Sequence, residues 1–160
     1  MDLKTHLCLT MFISTLGCPS GMQEDEYEHQ HHNHSSEAIP ESILGNQASG
    51  ELYTVEIITA EPDPASKGKN DWTISVTDSN NVAVSDATLT VVPFMSVHGH
   101  GTSPSSFTAN QGDQAGEYIF TELNFIMSGA WEMTFTISVK EETDAGTTTD
   151  TIVMSIVVAN

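Results

Sequence analysis

The chain has 160 residues, of which 22 are acidic and only 4 are basic, for a formal net charge of −18. Nucleic acid is excluded as a partner, because displacing phosphate counterions needs clustered cations, and the same shortage disfavours an anionic membrane surface. Both cysteines, Cys8 and Cys18, lie near the N-terminus. Once a leader ending there is set aside, no disulfide, cysteine nucleophile or thiolate metal site remains.

Residues 1–17 carry Lys4 in a short polar start and then run apolar from Leu7 to Leu16. The run is too short to span a bilayer and has the form of a secretory signal core. It ends in Thr15-Leu16-Gly17-Cys18, which resembles a bacterial lipoprotein processing site, with Thr15 where leucine is usual. The expectation is a signal peptide over 1–17 and an acyl anchor on Cys18. This would hold the protein to a bacterial membrane outside the cytoplasm, on the periplasmic or surface side of the outer membrane. Ordinary signal cleavage nearby, with Cys18 removed or left as a free thiol, is the alternative.

Residues 18–50 have the composition of a disordered tether, because so polar a segment buries too little apolar area to offset its ordering entropy. An acidic stretch from Glu24 to Glu28 leads into His29, His31, His32 and His34, four histidines in six residues. Such a tract is a weak, adaptable trap for borderline cations, or a solvated spacer with incidental histidines.

From residue 51 the hydrophobic period becomes two. Tyr53, Val55 and Ile57 alternate with polar residues, as do Trp72, Ile74 and Val76. The same holds for Trp131, Met133, Phe135, Ile137 and Val139, and for Ile152, Met154, Ile156 and Val158. Thr88–Met95 and Glu117–Phe125 add two strands, and Ser106–Ala109 a short edge strand. Turn signals at Pro62-Asp63-Pro64, Asp78–Asn81, Gln111–Asp113, Ser128-Gly129 and Asp144–Gly146 separate them. No helical stripe is present. The pattern predicts an all-β, immunoglobulin-like two-sheet sandwich of about seven strands over 51–160.

The residues with coordinating chemistry lie between strands. In Pro93-Phe94-Met95-Ser96-Val97-His98-Gly99-His100-Gly101, Pro93 has no ladder donor, so strand pairing is expected to weaken there. An extended loop would set His98 and His100 on one side, ~6–7 Å apart along the chain. Met95 and Met127 each offer a thioether. Imidazole with thioether suits copper, since sulfur selects Cu(I) and nitrogen accepts Cu(II), whereas zinc gains little from methionine. The competing reading makes Met127 a core filler and His-Gly-His a plain surface turn.

The succession Val91-Val92-Pro93-Phe94-Met95, His98-Gly99-His100-Gly101, Gly116-Glu117-Tyr118 and Met127-Ser128-Gly129-Ala130-Trp131 resembles the YtkA-like domain. Lys67–Asn70, Thr73–Val76 and Asp86-Ala87 also fit, so the resemblance spans about 61–139. It implies a small extracytoplasmic β-sandwich, often a lipoprotein, with a role in copper handling. It carries Met95, His98, His100 and Met127 over as metal ligands. Ser96 departs from the pattern, which has proline after the methionine, and the tail histidines lie outside the matched stretch.

Enzymatic readings find little support. His100-Gly101-Thr102-Ser103 is similar to the histidine motif of subtilisin-like proteases, but the doubly wound α/β domain and its partner motifs are missing. A copper–zinc dismutase site needs more imidazoles than His98 and His100 supply. Two functions are therefore expected of this chain. One is a metal-binding lipoprotein, for copper, that buffers or delivers the ion. The other is a non-catalytic module that contacts an envelope protein, with incidental histidines. The first requires the Met127 sulfur close to His98 and His100, and the second a scattered set and an exposed apolar patch.

Overall fold

Alternating apolar and polar residues give strands one dry face and one wet face, and the computed structural model packs two such sheets dry face to dry face. It describes residues 39–140 and 146–160, all within one unit spanning His34–Asn160. The expected signal peptide, Cys18 and the histidines at 29, 31, 32 and 34 lie outside the described residues.

Ten strands are present among the described residues, six of them long and four of two or three residues. In chain order they are β1 (Gln47–Ser49), β2 (Tyr53–Glu61), β3 (Gly68–Asp78), β4 (Ala87–Met95) and β5 (His100–Gly101). The others are β6 (Phe107–Thr108), β7 (Asn110–Gln111), β8 (Glu117–Phe125), β9 (Gly129–Lys140) and β10 (Thr147–Val158). One sheet runs β1-β2-β3-β8-β7 and the other β10-β9-β4-β5, with β6 also paired to β4. Every pairing between these strands is antiparallel. Tightly packed between the sheets are Trp72, Phe120 and Phe125 from one and Trp131, Phe135 and Leu89 from the other.

Three features depart from the sequence expectation. First, order begins before residue 51. Ile43 is buried, its N–H donates to Asp63 Oδ1 at 2.8 Å, and β1 pairs with β2. The described residues from Ile43 to Ser49 therefore belong to the sandwich and not to the tether predicted over 18–50, because Ile43 finds apolar cover across the chain that the local sequence does not announce. Second, β4 stays paired with β9 through Pro93, which sits opposite Met133. The Pro93 carbonyl faces the β5 side, where a Cβ on Gly101 would come within 2.9 Å of it. Its missing donor thus points to the edge that is broken between β5 and β6, where no ladder bond is lost.

Third, the apolar phase of β8 switches midway, from Tyr118 and Phe120 to Leu123 and Phe125. The β3–β8 register shifts between Asn70 and Trp72, and Glu122 takes a left-handed backbone with φ 58°. The Asp71 carboxylate accepts the Glu122 N–H at 2.7 Å and holds this bulge. An extra residue reverses which face each following side chain meets, so Phe125 turns inward and the chain enters the β8–β9 connection aimed at the end of β4.

Tyr118 anchors the loop before β4. Its hydroxyl donates to the Val84 carbonyl at 2.8 Å and accepts the Ala87 N–H at 3.0 Å, and burial pushes the phenol pKa up. Tyr118→Phe strands both backbone partners and is expected to lower stability by about 1–2 kcal/mol. An unchanged denaturant midpoint would refute that role.

Candidate metal centre

The site forms where β4 turns back into β5. The N–H groups of His98 and Gly99 both donate to the Met95 carbonyl, at 3.1 and 2.9 Å. Gly99 adopts a positive φ of 68°, which closes the turn at no steric cost. Met95 and His100 then become direct cross-strand partners. The histidines are therefore brought together by a tight reversal rather than by an extended loop. Their rings lie 5.9 Å apart and nearly parallel, at 20°.

Partners across a ladder share a face, so His100 stands over buried Met95 on the inner side of its sheet. Trp131, on β9, meets the His100 ring edge-on at 5.9 Å and packs against Phe125 at 5.3 Å. The indole Nε1–H donates to the Met127 carbonyl at 3.0 Å. That bond ties the β8–β9 connection to the core and brings Met127 over His100. At Gly129, a Cβ would touch the Met95 methyl at 3.4 Å, so Met95 reaches under the same connection.

The result is a contact of 3.3 Å between His100 Nε2 and the Met127 sulfur. His100 Nδ1 lies 3.2 Å from the Gly101 carbonyl, which can only accept a proton. The neutral tautomer protonated on Nδ1 donates to that carbonyl and leaves the Nε2 lone pair facing sulfur, whereas the other tautomer donates Nε2–H to the sulfur. Histidine ligands to metals are oriented in this way, by a carbonyl on the other ring nitrogen. With metal–nitrogen and metal–sulfur bonds of ~2.0 and ~2.3 Å, atoms 3.3 Å apart subtend about 100° at a shared ion, close to a tetrahedral angle.

The four residues expected as ligands thus gather at one end of the sandwich. His98 and Met127 are exposed, His100 is half-buried and Met95 is covered. Their donor set, two imidazoles and two thioethers, matches the preference of copper better than that of zinc. No group of three or more His, Cys, Asp or Glu that could hold a metal occurs among the described residues, so any ion here depends on sulfur. The residues that sequence reasoning missed are Trp131 and Gly101. Trp131 stands four residues after Met127 on the inner face of β9, which was a usable signal. The part played by the Gly101 carbonyl had none, since it depends on the turn. Phe94, Val97 and Ile126 are also exposed, Val97 at 80%, so apolar side chains flank the donors.

No helix among the described residues is long and apolar enough to cross a membrane. No curated protein and no solved structure matches the chain. A family model described as YtkA-like matches residues 48–136, more than half of the chain, from within β1 to within β9 and including all four candidate ligands. Membership of that family supports an extracytoplasmic setting for the domain. The chain belongs to the YtkA-like family.

Proposed function

We propose that this protein is a lipid-anchored envelope protein that binds one copper ion through Met95, His98, His100 and Met127 and buffers or delivers it without catalysis. The carrying observation is the 3.3 Å approach of His100 Nε2 to the Met127 sulfur, with the Gly101 carbonyl placed to accept the proton of the Nδ1–H tautomer. In that tautomer the Nε2 and sulfur lone pairs face each other, and a cation between them would relieve their repulsion. The leader over residues 1–17 and Cys18 support an acyl anchor to a bacterial membrane, and the overall charge of −18 raises the local cation concentration. The tail histidines His29, His31, His32 and His34 act as a weak secondary trap.

The exposed Phe94, Val97 and Ile126 favour a second reading, a module that contacts an envelope partner. Delivery needs such a surface too, so the two readings part over the metal alone. The test is a competition titration of copper against a chromophoric chelator. It uses the full chain with the tail histidines replaced (H29A, H31A, H32A, H34A), so that the tract cannot mask the result. One-to-one binding is expected. No binding would sink the copper reading and leave the interaction module.

A further inference from the structure

We infer that β10 is the seam of a symmetric dimer, its free edge pairing antiparallel with the same edge of a second copy. The sheet edges are unequal. β1 has three residues and β5, β6 and β7 have two each, and so short an edge strand offers an incoming strand little to pair with. β10 runs for 12 residues, Thr147–Val158, and pairs with β9 alone in an unbroken register. It holds no proline, lysine or bulge, the devices that keep edges apart. Its own chain closes the two ends of that edge. The Ala159 N–H donates to the Ala65 carbonyl at 2.7 Å, and the Ala159 carbonyl accepts the Lys67 N–H at 2.9 Å. Asp150, the one charged residue of β10, turns inward to hold the β1–β2 turn, and its carboxylate also accepts the Thr151 N–H.

Between these closures the edge is open. Backbone direction alternates along a ladder, so Val153, Ser155 and Val157 face away from β9 as Ala159 does. Their N–H and C=O groups have no hydrogen-bond partner among the described residues. Val153 is 56% exposed and Ser155 is exposed as well. Beside them an open groove separates Ser155, Ile156 and Val157 from Ile39, Ser42 and Ile43. Charge selects the occupant. Of the 22 acidic residues none falls within 151–160, in a chain whose net charge is −18. Two copies can therefore meet along this edge while bringing few carboxylates together, which little else of so acidic a chain allows. An antiparallel edge is also its own complement. A two-fold axis beside Met154 sets Val153 opposite the partner's Ser155, and the reverse, with both backbone bonds exchanged in each pair.

The test is sedimentation of the full chain over a concentration series. A chelator is present so that no metal joins two copies, which keeps the outcome independent of the copper reading. A monomer–dimer equilibrium is expected, with a Kd on the order of 10–100 µM. Hydrogen exchange on the same samples should protect the Val153 and Ser155 amides only at concentrations where the dimer forms. Val153→Glu, at an exposed position, brings like charges into the seam and should weaken the dimer at least ~10-fold with the melting temperature of the monomer unchanged. Ser155→Pro removes an outward donor, which an edge tolerates, and should weaken the dimer in the same way. A chain that stays monomeric up to ~1 mM would overturn the inference. So would a dimer indifferent to both variants, which places the contact elsewhere. Amide protection that does not depend on concentration would overturn it too, giving the edge to the protein's own tail.

Discussion

His100→Ala is expected to abolish one-to-one copper binding in practice, lowering affinity at least ~100-fold, about 2.7 kcal/mol, with little change in thermal stability. The ring is where the site's contacts meet. It faces the Met127 sulfur, accepts its orientation from the Gly101 carbonyl, stacks beside His98 and rests against Trp131. Its removal takes away the nitrogen of this site that is already placed against a sulfur. It lies half-buried at the end of the two-residue strand β5, so the core loses little when it goes. Competition titration and a thermal melt on the same sample check both halves. A variant that melts much lower would make His100 a packing residue, and one that binds copper normally would remove the site.

Asp150→Ala is expected to destabilise the domain by about 2–4 kcal/mol, the largest effect foreseen for a residue outside the candidate metal centre. Asp150 lies on β10, 7% exposed. Its carboxylate accepts the N–H groups of Leu52 and Tyr53 at 2.9 and 3.0 Å, Glu51 at 3.2 Å and Thr151 at 2.9 Å. Gly50 packs so closely that a Cβ there would meet the carboxylate at 2.4 Å. One side chain thus clasps the β1–β2 turn of one sheet to the last strand of the other. Removing it leaves three N–H groups of that turn without their acceptor.

The same residue makes stability depend on pH. Burial pushes the Asp150 pKa up, but the N–H groups of Leu52, Tyr53, Glu51 and Thr151 together outweigh burial and hold it below the ordinary carboxylate value. A depressed folded-state pKa contributes stability that is fully present above the unfolded value of ~3.9 and is lost as pH falls through the folded value. Acid unfolding of the parent should therefore steepen below about pH 4, and Asp150→Ala should be flatter there, its deficit already present at pH 7. Parallel acid-unfolding curves for the two proteins would refute the clasp as the source.

Strand identity was legible in the chain because a half-buried strand must alternate, and Trp131 to Ile137 or Ile152 to Val158 can satisfy no other period. The inward set on β9 and β10 follows from that rule alone, whereas β8 breaks it midway, between Phe120 and Leu123. Asp150 keeps the inward phase of Ile152 and Met154, yet its role was hidden, since its partners lie about a hundred positions earlier. The bulge at Glu122 was hidden too, because a left-handed residue there is held by Asp71 from the neighbouring strand and not by a glycine that would have marked it.

At the site, the residue types and their order were visible, but not their placement. The sequence by itself determined an acidic, cysteine-poor domain of two amphipathic sheets and named Met95, His98, His100 and Met127 as its soft donors. Only the tertiary structure decided that they meet. Met127 reaches His100 because a bulge reverses the phase of β8 and because Trp131 binds the Met127 carbonyl. The carbonyl that can orient the His100 ring through Nδ1 is delivered by the β4–β5 reversal. Local periodicity is written in neighbouring residues, whereas a site built across two hairpins depends on contacts that only packing creates.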